Sequence, residues 1–495
     1  MYMTIIKRYA IALVLTLSTL PLLAQSKEFR AGKSLEVQNM TLRTLNAYYV
    51  DTIDVEKLVN TGINAMLRTL DPYTEFIPEE NETDIDMLTT GSYGGVGSII
   101  SKLPTGEILI SEPYIDTPSS KMGLQPGDMI LEIDGVSTQE LTVNQSSERM
   151  KGEPGSELKL KIKKGRGGDT VDVTLVRERI HVSDVVYSGM YKDTIGYIQI
   201  GGFTLNGAKD VKRAYETLKK NPNMKRLILD LRGNGGGLMS EAIGIVSLFV
   251  PKGTLVVSQR GKDESLNEDS YTTTEPIDTE IPVMVLVNSL SASSSEIVAG
   301  ALQDLDRAVI AGTRTFGKGL VQSIRPIGYN NSLKLTIAKY YTPSGRCVQA
   351  IDYTHRNEDG SVGSVPDSLK KEFKTVAGRS VYDGGGITPD ITVETEYYSR
   401  PMVALIYSNI LSDFAIEYYK KHEKIAPAGE FSLTDEEFEE FVKFAADKEF
   451  DQRSESQIEM ERVIEAAKRE GLYEQNKEIL DNLINSCGRM FVKCL

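Results

Sequence analysis

The 495 residues include no tryptophan and only three cysteines and three histidines. The histidines, His181, His355 and His422, are scattered and share no motif, which gives a Ser-His-Asp relay weak support. Three cysteines are too few for a disulfide scaffold. Cys487 and Cys494 lie close enough in sequence to pair, leaving Cys347 as a structural thiol. No residues have metal-ligand spacing, so neither a metal nor another cofactor is expected. Positive charge is also short, with 56 Lys and Arg against 70 Asp and Glu and a formal net charge of -14. A nucleic-acid partner is therefore not expected, because such binders need basic faces. Long apolar runs are missing beyond the N-terminus.

At the N-terminus, Lys7 and Arg8 precede the apolar run Ile11 to Leu23 and the small residue Ala24. Residues 1–24 read as a secretory signal, with an uncleaved anchor as the competing reading because the run is short for a spanning helix. The expected location is the periplasm, at the membrane if the run is retained. The chain is too long for one core.

The stretch Val285 to Gln322 carries the chemistry. The apolar strand Val283 to Val287 breaks into Ser289, Ser291, Ser293, Ser294 and Ser295. Ile297, Val298, Ala301, Leu302 and Leu305 then recur at helical spacing. A serine at such a helix N-terminus lies beside unpaired N–H groups that can hold a developing oxyanion. Lys318 follows between Gly317 and Gly319. Taken singly, the serines read as helix caps and the lysine as a surface turn. Together they form a reactive set: a serine needs a base to take its proton, and a lysine serves when its surroundings lower its pKa. Gln322 cannot titrate and suits orienting that lysine by a hydrogen bond. Glu296 supports the site from behind or complements the helix N-terminus.

This stretch resembles the carboxy-terminal processing (tail-specific) peptidases, a Ser/Lys serine peptidase family. The family pattern Ser-Ala-Ser-Ala-Ser-Glu-Ile, then Thr-Phe-Gly-Lys-Gly-x-Val-Gln, matches Ser291 to Ile297 and Thr315 to Gln322. The resemblance implies Ser293 as nucleophile, Lys318 as base and Gln322 as its partner. Ser294 replaces the usual alanine and adds a competing hydroxyl. Asp230-Leu231-Arg232-Gly233-Asn234-Gly235-Gly236-Gly237 matches the family's glycine loop, which implies the Gly236 and Ser294 N–H groups as the oxyanion hole. Ile195 to Ile200, a helix from Ala208 to Lys220, Arg226 to Asp230 and a helix through Phe249 alternate as in an α/β fold. The family implies a ClpP/crotonase-like core there, spanning 181–395. The segment Val376 to Asp390 matches the end of that core without a role of its own.

Gly94-Gly95-Val96-Gly97, the strand Ser98 to Ser101, Leu124-Gln125-Pro126-Gly127-Asp128, the strand Met129 to Ile133 and the turn Asp134-Gly135 resemble a PDZ domain, placed at 89–180. That implies a peptide carboxylate held by Gly94, Gly95, Val96 and Gly97, with the peptide added as a strand. Residues 25–88 read as helical, with Leu35, Met40, Leu42, Leu45 and Tyr49 on one face and a second helix from Val55 to Leu70. The terminal region 396–495 also reads as helical, with Phe438, Phe441, Phe444 and Ala445 on one face. The expected fold class is thus α/β multidomain. The expected protein is an exported endopeptidase acting on proteins with exposed apolar C-termini, a homodimer or larger assembly through its helical terminal regions, with an adaptor as a further partner. The alternative is a catalytically silent PDZ adaptor or chaperone. A phosphate-binding loop at Gly312 to Lys318 fails because Gly319 stands where Ser or Thr is needed.

Overall fold

The computed structural model describes residues 27–488 except 80–89, 104–105, 166–167, 358, 395–397, 409, 423, 427–429 and 449. The expected signal and Cys494, the expected partner of Cys487, lie outside the described residues. The chain divides into two compact units, Met1–Glu79 with Gln322–Thr336, and Glu80–Val321 with Ile337–Leu495.

The first unit contains α1 (Lys27–Tyr48), α2 (Val55–Arg68) and β1 (Glu75–Ile77). Helix α2 starts where the Asp54 side chain accepts the Lys57 N–H, and its closing Arg68 complements the helix dipole. No residue of α1 is buried. Along its apolar stripe Leu42 and Leu45 are half-buried, while Leu35, Met40 and Tyr49 are exposed. Helix does not continue past Arg68 over the described residues up to Glu79. Pro72 bars a further turn, and β1 instead pairs antiparallel with Ser332 to Lys334.

In the second unit, β2 (Ser92–Gly95), β3 (Ser98–Lys102), β4 (Ile108–Pro113), β5 (Met129–Ile133), α3 (Val143–Met150), β6 (Glu157–Lys163), β7 (Thr170–Val176) and β8 (Glu178–His181) occupy the stretch expected to be a PDZ domain. Strands β3 to β7 make an antiparallel sheet in chain order, and β2 pairs with β8. Alternation along β6 buries Leu158, Leu160 and Ile162 beside Ile108, Ile110, Ile130 and Ile133, while the residues between face outward. A reciprocal pair of hydrogen bonds between Thr142 and Gln145 caps α3.

The core follows with β9 (Val185–Tyr191), β10 (Ile195–Ile200), α4 (Gly207–Leu218), β11 (Arg226–Asp230), α5 (Met239–Ser247), β12 (Leu255–Gly261), β13 (Glu268–Tyr271), β14 (Val283–Val287), α6 (Ser294–Asp304), β15 (Ala308–Gly312), β16 (Leu320–Gly328), β17 (Asn331–Tyr341) and β18 (Ile391–Thr392). Its sheet runs β9-β10-β11-β14-β15-β18, parallel apart from the antiparallel edge strand β9. Leu227, Leu229, Val283 and Val285 pack with Val211, Ile245, Val298 and Leu302 of the covering helices. Every residue of α6 is buried. Parallel order puts the carboxyl ends of β11, β14 and β15 side by side, which is where α/β sheets place ligands. Beyond the core, the helices Arg400–Tyr407, Ile410–Lys421, Asp435–Ala446, Glu455–Arg469 and Tyr473–Gly488 include a cluster of Leu405, Ile410, Phe441 and Ala445, joined by Phe438 and Phe444. Among the described residues no helix is long and apolar enough to cross a membrane.

Candidate active site

Three loops leave the adjacent strands β11, β14 and β15, and each carries one part of the expected chemistry. The glycine loop after β11 begins at Asp230, which is buried and accepts hydrogen bonds from the Tyr197 hydroxyl and from the Arg232 guanidinium and N–H. Asn234, also buried, laces this loop to the serine loop: its carbonyl accepts the Ala292 N–H at 3.0 Å and the Ser295 hydroxyl at 2.9 Å. Its carboxamide bridges the Ile200 carbonyl and the Gly236 N–H at 2.9 Å each. The Gly236 N–H proposed for the oxyanion hole is therefore engaged by Asn234 in this state. A Cβ on Gly236 would stand 2.8 Å from the Ser293 Cβ and 3.1 Å from the Ser294 N, so only glycine, here at φ +104°, lets this loop approach the serine.

The serine loop separates its hydroxyls. Ser291 donates to the Leu231 carbonyl, Ser294 to Gly237 and Ser295 to Asn234, and all three residues are buried. Ser293 is half-buried, and among the described residues its hydroxyl is not spent on a carbonyl in this way. Its backbone lies at φ 56° and ψ −115°, a costly conformation for a residue with a Cβ and one that recurs at reactive positions. Ser294 opens α6, and its N–H lies in the first turn, where helices have no internal acceptor.

Lys318 sits in the loop after β15. Gly317 has φ +87°, and a Cβ there would meet the Ala350 Cβ at 2.4 Å. The Gly319 N–H is held by Gln349 Oε1 at 2.8 Å. Phe316 donates its N–H to the Ser291 carbonyl, tying this loop to the serine loop.

Glu296 joins the two loops. It is fully buried, and its carboxylate accepts four hydrogen bonds: Ser293 N–H at 2.9 Å and Lys318 N–H at 2.8 Å on Oε2, Thr315 hydroxyl at 2.6 Å and Gly317 N–H at 2.7 Å on Oε1. Burial pushes its pKa up, against the downward pull of those four donors. The backbone support open at the sequence level is what the structure displays. Tyr340, which sequence reasoning missed, complements it: the buried hydroxyl lies 2.6 Å from the Lys318 carbonyl and 3.1 Å from the Ser293 carbonyl. Nothing local in the sequence marks it, because it arrives on β17. Ile387 gives the segment Val376 to Asp390 a place, exchanging hydrogen bonds with Thr315. Gln322 belongs to the first unit, where its Nε2 donates to Thr336 Oγ1 at 3.3 Å.

In the PDZ domain, Gly94 and Gly95 lie in β2 opposite Arg179 and Glu178. Val96 is buried, and Gly97, at φ +75°, has no room for a Cβ, which would meet Thr117 at 2.5 Å. A cavity of about 20 Å³ beside this turn is lined by Val96, Gly97, Ile100 and Met150 together with Tyr93. Burial, reinforced by Tyr114, pushes the Tyr93 phenol up to about 12. Among the described residues no group of His, Cys, Asp and Glu could hold a metal ion.

Known proteins resemble this chain. Residues 194–356 match Peptidase family S41, residues 109–164 a PDZ domain, and residues 402–489 the C-terminal helical domain of probable PDZ-proteases. The carboxy-terminal-processing protease of Bartonella bacilliformis is 38% identical over 309 residues, 62% of this chain and 70% of that protein. The carboxy-terminal processing protease CtpA of Bacillus subtilis is 32% identical over 328 residues, 66% of this chain and 69% of that protein. The solved photosystem II D1 C-terminal processing protease is 24% identical and aligns with a TM-score of 0.39 over 73% of this chain and 93% of that one.

Proposed function

The chain belongs to the carboxy-terminal processing proteases of Peptidase family S41, serine-type peptidases here bearing a PDZ domain, and from that we propose that it is an exported endopeptidase that captures apolar C-terminal tails in the PDZ domain and cleaves through an acyl-enzyme on Ser293. In this reading Lys318 takes the Ser293 proton as the hydroxyl attacks the peptide carbonyl. The N–H groups of Ser294 and Gly236 receive the oxyanion, with Gly236 turning from Asn234 to do so. Lys318 then protonates the leaving amine, and a water it activates frees the acyl group. Gln322 orients Lys318, and the turn at Gly94 to Gly97 receives the tail's carboxylate. Export rests on the apolar run behind Lys7 and Arg8. Assembly into a homodimer or larger oligomer rests on the exposed Phe29, Leu35 and Met40 of α1.

The observation that carries the proposal is the pair of bridges from Glu296 and Tyr340 to the backbones of Ser293 and Lys318. A silent PDZ adaptor, the competing reading, has no use for a costly buried carboxylate spent on those two N–H groups. The test is mass spectrometry of an unstructured protein with an apolar tail, incubated with the wild type, Ser293→Ala and Lys318→Ala. Cleavage by the wild type alone, with both variants folded, is the expected result. Cleavage by Ser293→Ala would move the nucleophile elsewhere, and binding without cleavage by any form would favour the adaptor. The PDZ domain is further proposed to cover the active site until a tail binds; equal cleavage of a tailed substrate with and without that domain would remove this gate.

A further inference from the structure

A cavity of about 250 Å³ in the second unit takes no part in the chemistry assigned to Ser293 and Lys318. Lys339 of β17 and Asp383 stand on its walls, together with Cys347, Gln349, Ile351 and Val365. The Lys339 ammonium makes no ion pair among the described residues. Its cross-strand neighbour is Arg260 of β12, a like charge that is itself held by Asp269 at 2.6 Å. Asp383 accepts the Lys371 N–H at 2.7 Å on Oδ1, while its Oδ2 receives no donor among the described residues. Both charges act on the Cys347 thiol: burial pushes its pKa up, the Gln349 N–H and Lys339 pull it back, and Asp383 adds to the rise. The cavity thus presents a free cation and a half-used carboxylate that both face one thiol and are not paired with each other.

We propose that this cavity binds a small zwitterion with an apolar side chain, a free amino acid or a dipeptide, its carboxylate on Lys339 and its ammonium on Asp383 Oδ2. Ile351 and Val365 offer the apolar wall. The volume lies just below the range of small-molecule pockets, about 300–1,000 Å³, which suits a ligand of that size. A simple anion or cation would use only half of the site. Peptide-bond hydrolysis releases ligands of this class. The wall also supports the loop of Lys318: the Ala350 N–H donates to the Gly317 carbonyl at 2.9 Å, and Gln349 Oε1 accepts the Gly319 N–H at 2.8 Å while its Nε2 donates to the Ile351 carbonyl at 2.9 Å. Both neighbours of Lys318 therefore hang on the segment that lines the cavity, and a ligand that binds the ordered wall favours the ordered loop. Binding stands without the assignment of Lys318 as base; its effect on the reaction rests on that reading.

The test is equilibrium dialysis of leucine and of Leu-Leu against the full chain carrying Ser293→Ala, with the rate of Cys347 alkylation, read by peptide mass, as a second measure. Saturable binding of at least one of them is expected, with slower alkylation when it is bound; the tighter of the two tells amino acid from dipeptide. N-acetyl-leucine and leucine amide each lack one charge and should bind about tenfold to a hundredfold more weakly, as should leucine to folded Lys339→Gln and Asp383→Asn. No saturable binding of either ligand, or analogues that bind as well as the zwitterion, would overturn the proposal. So would unchanged affinity in both variants; if Asp383→Asn unfolds, Lys339→Gln, altered at an exposed side chain, decides alone. Fluorophosphonate labelling of Ser293 in the wild type, with and without bound ligand, reads the coupling, and a rise of about fivefold is expected. An unchanged rate with ligand bound would remove the coupling and leave the site. A wild type that is not labelled at Ser293 would defeat the Ser293 and Lys318 reading, with the binding result unaffected.

Discussion

Ser293 and Lys318 are linked through both poles of their backbones: the Glu296 carboxylate takes their N–H groups, and the Tyr340 hydroxyl lies against their carbonyls. The geometry between a serine and a lysine from two different loops is thereby set by two buried side chains rather than by the loops alone. Rigid support of this kind is what a serine with a short-range base requires.

Replacing Glu296 by Gln keeps the shape and removes two acceptor positions, since the new amino group must face N–H donors. We expect stability to fall by about 1–3 kcal/mol, the cost of buried donors left unsatisfied, and the rate of acylation to fall with it. Urea unfolding together with fluorophosphonate labelling checks this; unchanged values in both would refute the bridging role.

Tyr340→Phe removes only the hydroxyl. The expected loss of stability is about 1 kcal/mol, typical of one hydrogen bond, with kcat reduced and KM unchanged because the PDZ domain still captures the tail. A change confined to KM would place Tyr340 in substrate binding instead.

Gly236→Ala would put a methyl group 2.8 Å from the Ala292 carbonyl and the Ser293 Cβ, at a backbone angle that alanine avoids. Because the Cβ also stands 3.1 Å from the Ser294 N, the expected drop in kcat is about a hundredfold to a thousandfold, as for loss of an oxyanion donor. Retained activity would show that the oxyanion is held elsewhere.

Asp230 supplies a pH signature. Burial pushes its pKa up, but hydrogen bonds from Arg232 and Tyr197 outweigh this and leave it below the usual carboxylate range. Its ionised form is thus favoured on folding, so its contribution is present above the ordinary carboxylate pKa and lost as pH falls through the lower, folded value. Asp230→Asn should therefore destabilise the protein most at neutral pH and progressively less in acid. Denaturation midpoints across that range measure it; a penalty that grows toward acid would contradict the assignment.

Much of the architecture was legible because it is local. The strands Met129–Ile133, Ile195–Ile200, Arg226–Asp230 and Val283–Val287 stand where the sequence has short apolar runs, and the phenylalanine face near Phe441 announced a packed terminal helix. The short strand Glu75–Ile77 was not legible, because three residues carry no period and their partner lies at Ser332 to Lys334. The α1 helix was legible from its spacing, but helical spacing declares an apolar face without saying what covers it.

The sequence by itself determined the reactive residue types, the glycines beside them and the order of strands and helices, because these follow from neighbours along the chain. Only the tertiary structure decided that Ser291, Ser294 and Ser295 spend their hydroxyls on carbonyls while Ser293 does not, and that Glu296, Tyr340 and Asn234 hold the site together. Those choices depend on which backbone groups meet when β11, β14 and β15 lie side by side. Hydrogen bonds between groups far apart in the chain leave no spacing to read.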